Sequence, residues 1–344
     1  MKILEEGKGK LIGWRDPDEN RQWVLEHKSR KLEDKRMTAA RAVESFVTDG
    51  DFLAMGGFGH IRVSMSIIYE MIRQKKRHLK MAGKTAVHDA DILIAGGVVD
   101  EIEVAYTFGH ELRGLSKASR RAAQTGRLKV VGETSNAGYQ WRFLAGMMGL
   151  PFIPARNLLG TDTLAHSSAK VIDDPFTGRP ICLIPAAYPD VVAIHVPRCD
   201  KYGNCQIDGS VVEDFELARC ARKLIVTTEK IIDEEEIRAK PHATVIPFFL
   251  VDAVVEVPFG SHPCLMPYQY YFDEEHIGEW LNVSKTDAGV EEYFRKYVHS
   301  VRSYAEYLEL IGGAQQMDKL ARIELYEAPV ELPWVNARAK GGDK

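Results

Sequence analysis

Short apolar runs alternate with segments of helical periodicity through most of the chain. Apolar runs of strand length lie at 52–55, 91–96, 104–108, 128–131, 190–196, 224–228 and 251–257. Segments in which apolar residues recur at helical spacing lie at 39–47, 63–77, 117–124, 137–148, 213–221 and 287–310. The repeated order of strand and then helix predicts an α/β fold with a doubly wound, mostly parallel sheet.

Charge, together with the alternation of strands and helices, divides the chain into three parts. Residues 1–36 carry 10 Lys or Arg and 8 Asp or Glu, so we expect a solvated, charged N-terminal arm. Thr38 is a suitable N-cap for the helix that follows. The alternation of strands and helices extends over 37–310, which we interpret as the domain that carries function, and we interpret 311–344 as a C-terminal tail.

Composition excludes several classes of protein. The chain has 344 residues, 45% of them hydrophobic and 27% charged, and its net charge is -4, so nucleic acid is not an expected partner. No apolar stretch reaches the roughly 18 residues that span a bilayer, and the charged N-terminus does not resemble a secretory signal. Five scattered cysteines suit a reducing compartment, and the spacing of Cys199 and Cys205 does not suit zinc. We therefore expect a cytoplasmic protein without membrane or metal.

One stretch, DGDFLAMGGFGHIR at 49–62, joins a predicted strand to a predicted helix through adjacent glycines. A glycine pair at this position is often only a tight connection between the two elements. It also allows a ligand to approach the backbone, whose N–H groups can donate to a developing oxyanion at the carboxyl end of a strand. The stretch is neither the G-x-G-x-x-G dinucleotide fingerprint nor a P-loop.

The same stretch resembles the signature of the class I coenzyme A transferases, specifically that of their alpha (A) chain. Asp49-Gly50 supplies the acidic-Gly pair of the signature, Leu53-Ala54-Met55 its apolar triplet and Gly56-Gly57-Phe58 its ending. Arg62 fits the Arg variant of the pattern, whereas Ser64 stands where Pro is common. Further stretches resemble the A subunits of glutaconate-type members in the same order along the chain, namely GLPFIP at 149–154, IIDEEEIR at 231–238 and DAVVEVPFGSHP at 252–263.

The resemblance implies a fold, a reaction and a partner. The fold would be the sugar-phosphate-isomerase-like fold of CoA transferases. The family works by ping-pong covalent catalysis, with acyl-CoA and a carboxylic acid as substrates and no further cofactor. In two-chain members the nucleophilic glutamate of the B subunit lies in a Glu-Asn-Gly sequence, which this chain lacks. We therefore expect a B-subunit partner. The residues expected to bind substrate or CoA are Gly56, Gly57, Phe58, Arg62, Ser135, Gly260, Ser261 and His262.

Glu111 is the candidate catalytic residue of this chain. The segment Glu111-Leu112-Arg113-Gly114-Leu115 resembles a subgroup of the same fold that includes steroid ring-cleaving CoA hydrolases, in which a glutamate of the corresponding chain serves as a base. A carboxylate in a dry cleft would have the raised pKa that a general base needs. Alternatively, Glu111 only pairs with Arg113 or Arg120.

Other candidate residues also leave alternatives open. His262 could contact the acyl carboxylate or the partner, or it could fix its turn by hydrogen bonds. The aromatic stretch PYQYYF at 267–272 could line a substrate pocket or a subunit interface, and the enrichment of aromatic residues at interfaces favours the interface. Ser135 lacks the G-x-S-x-G context of a serine hydrolase. The overall function could be that of a transferase subunit, a hydrolase subunit that uses Glu111, or a scaffold that binds acyl-CoA without turnover.

Overall fold

Two β-sheets form the framework of the protein. A computed structural model describes residues 2–330 and residue 332. The strands, numbered in chain order β1 to β13, are Ile3–Glu6, Phe52–Met55, Leu79–Lys84, Val99–Ala105, Lys129–Glu133, Phe152–Ala155, Lys170–Asp173, Pro180–Pro185, Val191–Cys199, Cys205–Gln206, Lys223–Ile231, Thr244–Ile246 and Ala253–Glu256.

The α-helices, numbered α1 to α13, are Pro17–His27, Ala39–Phe46, Met65–Arg73, His88–Ala95, Lys117–Gln124, Asn136–Met147, Asp162–His166, Asp214–Cys220, Glu234–Ala239, Glu274–Val283, Asp287–Phe294, Tyr304–Leu310 and Gly313–Glu324. The predicted N-cap Thr38 accepts a hydrogen bond from the backbone N–H of Arg41, which satisfies one free donor of α2. None of the helices within 2–330 is both long and apolar enough to cross a bilayer.

The larger sheet is mostly parallel. Its order is β12-β10-β9-β2-β3-β4-β5, with β11 beside β9 and β13 beside β11. Strands β2, β3, β4, β5, β9, β11 and β13 pair in parallel, whereas β10 and β12 pair antiparallel. Since all the parallel strands point the same way, the loops that follow them meet at one edge of the sheet.

Helices cover both faces of this sheet. In β2 the side chains of Leu53 and Met55 enter one hydrophobic core, and those of Phe52 and Ala54 enter the core on the opposite face. Helices α2 to α5 and α10 to α12 pack on the first core, while α6 and α8 pack on the second. The prediction of a doubly wound α/β fold is therefore confirmed.

A smaller antiparallel sheet, in the order β1-β7-β8-β6, uses residues from the segment expected to be an N-terminal arm. Strand β1 pairs with β7. Downstream, Lys28 lies 2.7 Å from the Asp252 carboxylate, and the Lys35 Nζ donates to the carbonyl oxygen of Val251 at 2.7 Å. The segment up to residue 36 thus attaches to both sheets. Its strand β1 pairs within the smaller sheet, and Lys28 and Lys35 bury their stems and place their charged ends on acceptors beside the larger sheet.

Other segments also differ from the expectations, and of the predicted strand at 104–108 only Val104 and Ala105 belong to β4. Residues 91–95 of the predicted strand at 91–96 belong to α4, and Gly96 is its C-cap. The sequence predicts a strand there because α4 is buried on nearly every side, so its apolar run carries no helical periodicity. In the expected tail, α13 packs Met317 and Leu320 against Met266 and Tyr270. The rest of the predicted tail, residue 331 and residues 333–344, lies outside the described residues.

Candidate functional site

The carboxyl edge of the large sheet concentrates unusual backbone geometry. Eleven non-glycine residues of the described chain have positive φ, and seven of them lie in loops that follow β2, β3, β4 or β13, namely Arg62, Thr85, Tyr106, Phe108, Glu111, Phe259 and Tyr268. Thr85 is β-branched and still adopts a φ of 48°. Such conformations cost free energy and tend to cluster at functional sites. This edge is therefore the candidate site.

Steric contacts explain both glycines of the pair after β2. A Cβ on Gly56 would lie 2.5 Å from an oxygen of Asp214, and a Cβ on Gly57 would lie 2.2 Å from the carbonyl oxygen of Ile61. Gly57 also has a φ of 82°, which side chains rarely tolerate. The glycine loop, residues 56–62, therefore folds back tightly upon itself.

The N–H groups at the start of this loop already have acceptors. Gly56 donates to the Ala193 carbonyl at 2.8 Å and Gly57 donates to Asp214 Oδ1 at 2.8 Å. Phe58 donates to the Ile61 carbonyl and Gly59 to the Thr85 carbonyl. The expectation that Gly56 and Gly57 donate to an oxyanion is therefore not met in this conformation, because both donors are used to hold the loop.

Arg62 stabilises the loop from inside the protein. Its side chain is fully buried and forms an ion pair with Asp214. The guanidinium also donates to the Ser210 carbonyl at 2.8 Å and to the His195 carbonyl at 3.4 Å. This placement differs from the expected substrate contact, because the Arg62 guanidinium is paired with the Asp214 carboxylate inside the fold.

The turn after β13 lies against the glycine loop. Ile61 forms a parallel bridge with Leu265, and the Ser66 N–H donates to the Gly260 carbonyl. A Cβ on Gly260 would lie 2.7 Å from the His195 ring, so this glycine permits close packing. The structure thus brings two sequence-predicted segments together at one edge.

His262 and Ser261 are buried within that turn. The Nδ1 of His262 lies 2.7 Å from the Tyr307 hydroxyl and its Nε2 lies 3.0 Å from Asp273. Burial alone would raise the pKa of Asp273, but hydrogen bonding and charge from His262 hold that pKa below its usual range. The Ser261 N–H donates to the Tyr270 hydroxyl at 3.1 Å. These contacts agree with the turn-fixing alternative for His262 rather than with exposure to substrate.

A buried hydrogen-bond network beneath the turn was not foreseen. Glu229 accepts from the Tyr270 hydroxyl at 2.6 Å and from the Phe259 N–H at 2.5 Å, and it lies 2.7 Å from the Nε2 of His195. The Nδ1 of His195 lies 2.8 Å from the Thr227 hydroxyl. His195 and Thr227 meet because the parallel register of β9 and β11 places them opposite each other, and no local pattern in the sequence indicates this.

Glu111 lies beside the glycine loop and remains accessible. Its carboxylate is about half exposed, and its Oε1 lies 4.0 Å from where a Cβ on Gly59 would be. Arg113 makes two hydrogen bonds to Glu274, at 2.5 and 2.6 Å, and its Nη1 is 3.9 Å from Glu111. Arg113 is therefore committed to Glu274, and the Glu111 carboxylate faces solvent at the candidate site.

Ser135 occupies the neighbouring strand end and caps a helix. Its hydroxyl accepts from the Gly138 N–H at 2.9 Å and from the Asn157 amide at 2.5 Å. The structure therefore places Ser135 at the same sheet edge but gives its hydroxyl a capping role.

Three buried histidines, His60, His88 and His110, also meet at this edge. Their ring centroids lie 5.1 to 5.9 Å apart. Burial, together with the neighbouring rings, lowers the pKa of His60 and of His88 well below the ordinary value. The sequence around these three histidines carries no shared motif, although each histidine follows a strand that ends at the site.

The cavities of the chain differ greatly in size. The cavity lined by residues 56–59 has a volume of about 10 Å³, which is close to the size of one water molecule. A cleft of about 870 Å³ lies elsewhere, between α2, α3, β13 and α12, and none of the predicted site residues lines it. The glycine loop of this chain alone therefore offers no enclosed space for an acyl group.

Comparison with known proteins places this architecture in a family. The profile of the family described as coenzyme A transferase matches residues 36–257. The A subunit of glutaconate CoA-transferase from Acidaminococcus fermentans is 30% identical over 82% of this chain and 93% of its own length. The crystal structure of that enzyme superimposes with a TM-score of 0.78, covering 83% of this chain and 95% of that chain.

Two further relatives extend the comparison. An uncharacterized protein of Archaeoglobus fulgidus is 60% identical over 97% of this chain and 75% of its own length. The crystal structure of the decarboxylase AibA/AibB is 30% identical, with a TM-score of 0.68, over 76% of this chain and 98% of that chain. The family profile, the identities and the shared fold agree, and the chain therefore belongs to the coenzyme A transferase family, as an A subunit.

Proposed function

We propose that this chain is the A subunit of a heteromeric enzyme that moves CoA between an acyl-CoA and a carboxylic acid, and that a partner B subunit supplies the nucleophilic glutamate. The similarity to a protein named as the A subunit of glutaconate CoA-transferase supports this proposal. So does the absence of a Glu-Asn-Gly sequence from the chain itself.

The observation that carries the proposal is an incomplete site. The strained loops converge at one sheet edge, but the cavity at the glycine loop holds only about 10 Å³, whereas ligand pockets usually measure about 300–1,000 Å³. Exposed apolar side chains flank the edge, since Tyr106 is 56%, Leu115 50% and Tyr268 65% exposed. A second polypeptide seated on these side chains would supply the missing wall.

The chemistry divides between the two chains. A carboxylate of the partner attacks the thioester carbonyl, which forms a mixed anhydride and releases the CoA thiolate. The thiolate then attacks the glutamyl carbonyl, so that the first acid leaves and a glutamyl-CoA thioester remains. The second acid reverses both steps. In this chain the glycine loop, with Gly56, Gly57 and Phe58, and the turn at 260–262 would shape one wall of the acyl site, held in place by Arg62.

Glu111 supports a second candidate, an acyl-CoA hydrolase that uses it as a general base. Its φ of 55° and the half-exposed carboxylate beside Gly59 are the observations that favour this function. A base in this position would take a proton from water as the water attacks the substrate carbonyl. Both candidates use the same sheet edge, so they differ only in which chain carries the essential carboxylate.

Co-purification from the native host tests the first proposal. We expect a second α/β polypeptide with a Glu-Asn-Gly sequence, CoA transfer in the co-purified complex, and a mass increase of one CoA on that polypeptide after incubation with acyl-CoA alone. A partner without this glutamate would contradict the transferase proposal and favour Glu111. A chain that binds acyl-CoA without any turnover, alone or with its partner, would favour the scaffold.

The variant Glu111→Gln separates the two candidates. The transferase proposal predicts a small change in turnover, whereas the hydrolase predicts a loss of about 100-fold or more, as expected when a general base is removed. Glu291→Gln is the matched control, because Glu291 is an exposed carboxylate on α11. A large loss in Glu111→Gln with normal activity in the control would overturn the assignment of catalysis to the partner alone.

A further inference from the structure

The three buried histidines lie at equivalent positions in the topology. His60 is in the loop that follows β2, His88 is the first residue of α4 after β3, and His110 is in the loop that follows β4. These three strands are neighbours and run parallel, so their carboxyl ends deliver the three side chains to one point. Residues separated by 28 and 22 positions in sequence thus converge in space.

The ring nitrogens are close enough to share one ion. One nitrogen from each ring lies within 4.8 Å of a nitrogen from both of the others. The Nε2 of His60 and the Nδ1 of His110 are 3.1 Å apart. Two imidazoles on one zinc ion, each with a Zn–N bond of about 2.0–2.1 Å, would place their ligating nitrogens roughly 3.3 Å apart in a tetrahedral arrangement.

Within the cluster, polar atoms lack partners. Neither Nδ1 nor Nε2 of His88 has a hydrogen-bond partner among the described residues, whereas the Nε2 of His110 faces Asp91. All three side chains are at most 3% exposed. Buried polar atoms in folded proteins are nearly always satisfied, so unpaired atoms such as these require an explanation such as an ion.

We propose that His60, His88 and His110 bind a divalent transition-metal ion of the zinc class. Neutral imidazole is a preferred ligand of Zn²⁺, Co²⁺ and Ni²⁺, and three histidines leave a further position for water or another ligand. This proposal revises the expectation of a protein without metal, which considered only Cys199 and Cys205. It goes beyond the proposed transfer of CoA, which requires no metal.

The surroundings of the cluster are compatible with a cation. The nearby guanidinium of Arg113 is neutralised by its two hydrogen bonds to Glu274. Asp91 lies 3.7 Å from the Nε2 of His110, and it also accepts from Ser119 and Trp280. A carboxylate behind a ligating histidine orients the ring and strengthens its metal bond, so Asp91 is a positioning residue for His110.

Metal binding would fasten the glycine loop to the loop that carries Glu111. His60 lies three residues after Gly57, and His110 immediately precedes Glu111. An ion held by both histidines therefore fixes the distance between the two loops that the proposed function places against substrate. The expected role is positional, because the ligands are buried behind the exposed surface of the site.

Metal analysis of the full chain tests the proposal without any activity assay. Protein stripped of metal with a chelator is incubated with Zn²⁺ or Co²⁺ and separated from free metal by gel filtration. Its metal content is then measured by inductively coupled plasma mass spectrometry. We expect about one ion per chain. We also expect the Co²⁺ form to show visible absorption bands of nitrogen ligation without a thiolate charge-transfer band, which distinguishes this site from the five free cysteines.

Three variants sharpen the result. His88→Leu is expected to weaken binding at least about 100-fold, and Asp91→Asn about 10–100-fold. The control His276→Gln, which removes a buried histidine that is not one of the three proposed ligands, is expected to bind normally. If wild-type protein retains no metal, or if His88→Leu retains as much as wild type, the proposal is overturned and the cluster is only a packed group of neutral rings. The wild-type measurement decides the matter even if a variant fails to fold.

Discussion

Two buried polar clusters flank the glycine loop, and they differ in how completely their atoms are paired. On one side, Asp214 accepts from Arg62 and from the Gly57 N–H, and the guanidinium of Arg62 donates to several backbone carbonyls. On the other side, both ring nitrogens of His88 lack partners in the described chain. We call the first the well-paired cluster, because only the Nε of Arg62 lacks a partner there among the described residues, and the second the unpaired cluster. The unpaired cluster indicates a ligand, so the extent of hydrogen bonding, rather than burial or charge, distinguishes the structural cluster from the candidate site.

The largest effect is expected from breaking the well-paired cluster. Arg62→Ala leaves the buried Asp214 carboxylate without its cation, which should lower the free energy of unfolding by about 3–5 kcal/mol. Urea denaturation followed by circular dichroism measures this change. The exposed Arg295→Ala is the control, and a loss below about 1 kcal/mol in Arg62→Ala would show that the cluster does not hold the loop.

The next effect concerns the geometry of the loop beside that cluster. Gly57→Ala combines a φ of 82° with a Cβ 2.2 Å from the Ile61 carbonyl oxygen, and should cost about 3 kcal/mol in unfolding free energy. Gly178→Ala provides a matched comparison, since Gly178 also has a positive φ but its Cβ would meet nothing within 4 Å. Its expected cost is about 1 kcal/mol. Equal losses of unfolding free energy in the two variants would mean that the backbone around Gly57 shifts to make room for the new Cβ at little energetic cost.

An intermediate effect depends on pH and uses a buried histidine that has partners. Burial, with the charge of His262, lowers the pKa of His276 to about 3. The unfolded chain takes up the proton near pH 6.5, so the free energy of unfolding should fall with pH below that value, and His276 alone should contribute about 2 kcal/mol of the fall between pH 7 and pH 5. Urea titrations at several pH values measure this slope.

In His276→Gln this contribution to the slope should disappear. The exposed His166→Gln should leave the slope unchanged. If His276→Gln shows the same dependence on pH as wild type, then His276 does not remain neutral inside the folded protein.

The smallest effect is expected from the unpaired cluster in metal-free protein. His88→Leu removes a side chain whose nitrogens make no hydrogen bonds to the described residues, so the free energy of unfolding should change by less than about 1 kcal/mol. With Zn²⁺ at about 100 times its dissociation constant for wild type, wild type should gain about 2.7 kcal/mol and the variant no more than about 0.4 kcal/mol, because its binding is at least about 100-fold weaker. Thermal unfolding with and without Zn²⁺ measures both values. A large loss of unfolding free energy in metal-free His88→Leu would mean that the His88 ring already makes stabilising contacts without an ion.

The fold was largely predictable from the sequence, because apolar periodicity is a local property. The helices after Thr38 and Ser116 and the long strands β9 and β11 lie where the pattern placed them. The pattern failed at α4, where burial on nearly every side removed the periodicity, and before residue 36, where charged residues reach buried acceptors.

The candidate site was predictable only in part. The glycine loop and the turn after β13 carry local sequence signals, and both lie at the expected sheet edge. The hydrogen bonds that occupy Gly56 and Gly57 come from Ala193 and Asp214, which are more than a hundred residues away, so no local pattern could show them. The three histidines likewise share no motif, and only the order of the strands brings them together.

The order of the large sheet also has a consequence for synthesis on the ribosome. Strand β2 pairs with β9, and the N–H of Phe52 donates to Asp190 across 138 positions in sequence. At about 5–20 residues per second, the growing chain needs roughly 7–28 seconds after β2 before this neighbour exists. During that interval β2 has only β3 to pair with, and one apolar edge of the nascent sheet stays open. Chaperone demand and sensitivity to slow codons should therefore be greatest between these two strands.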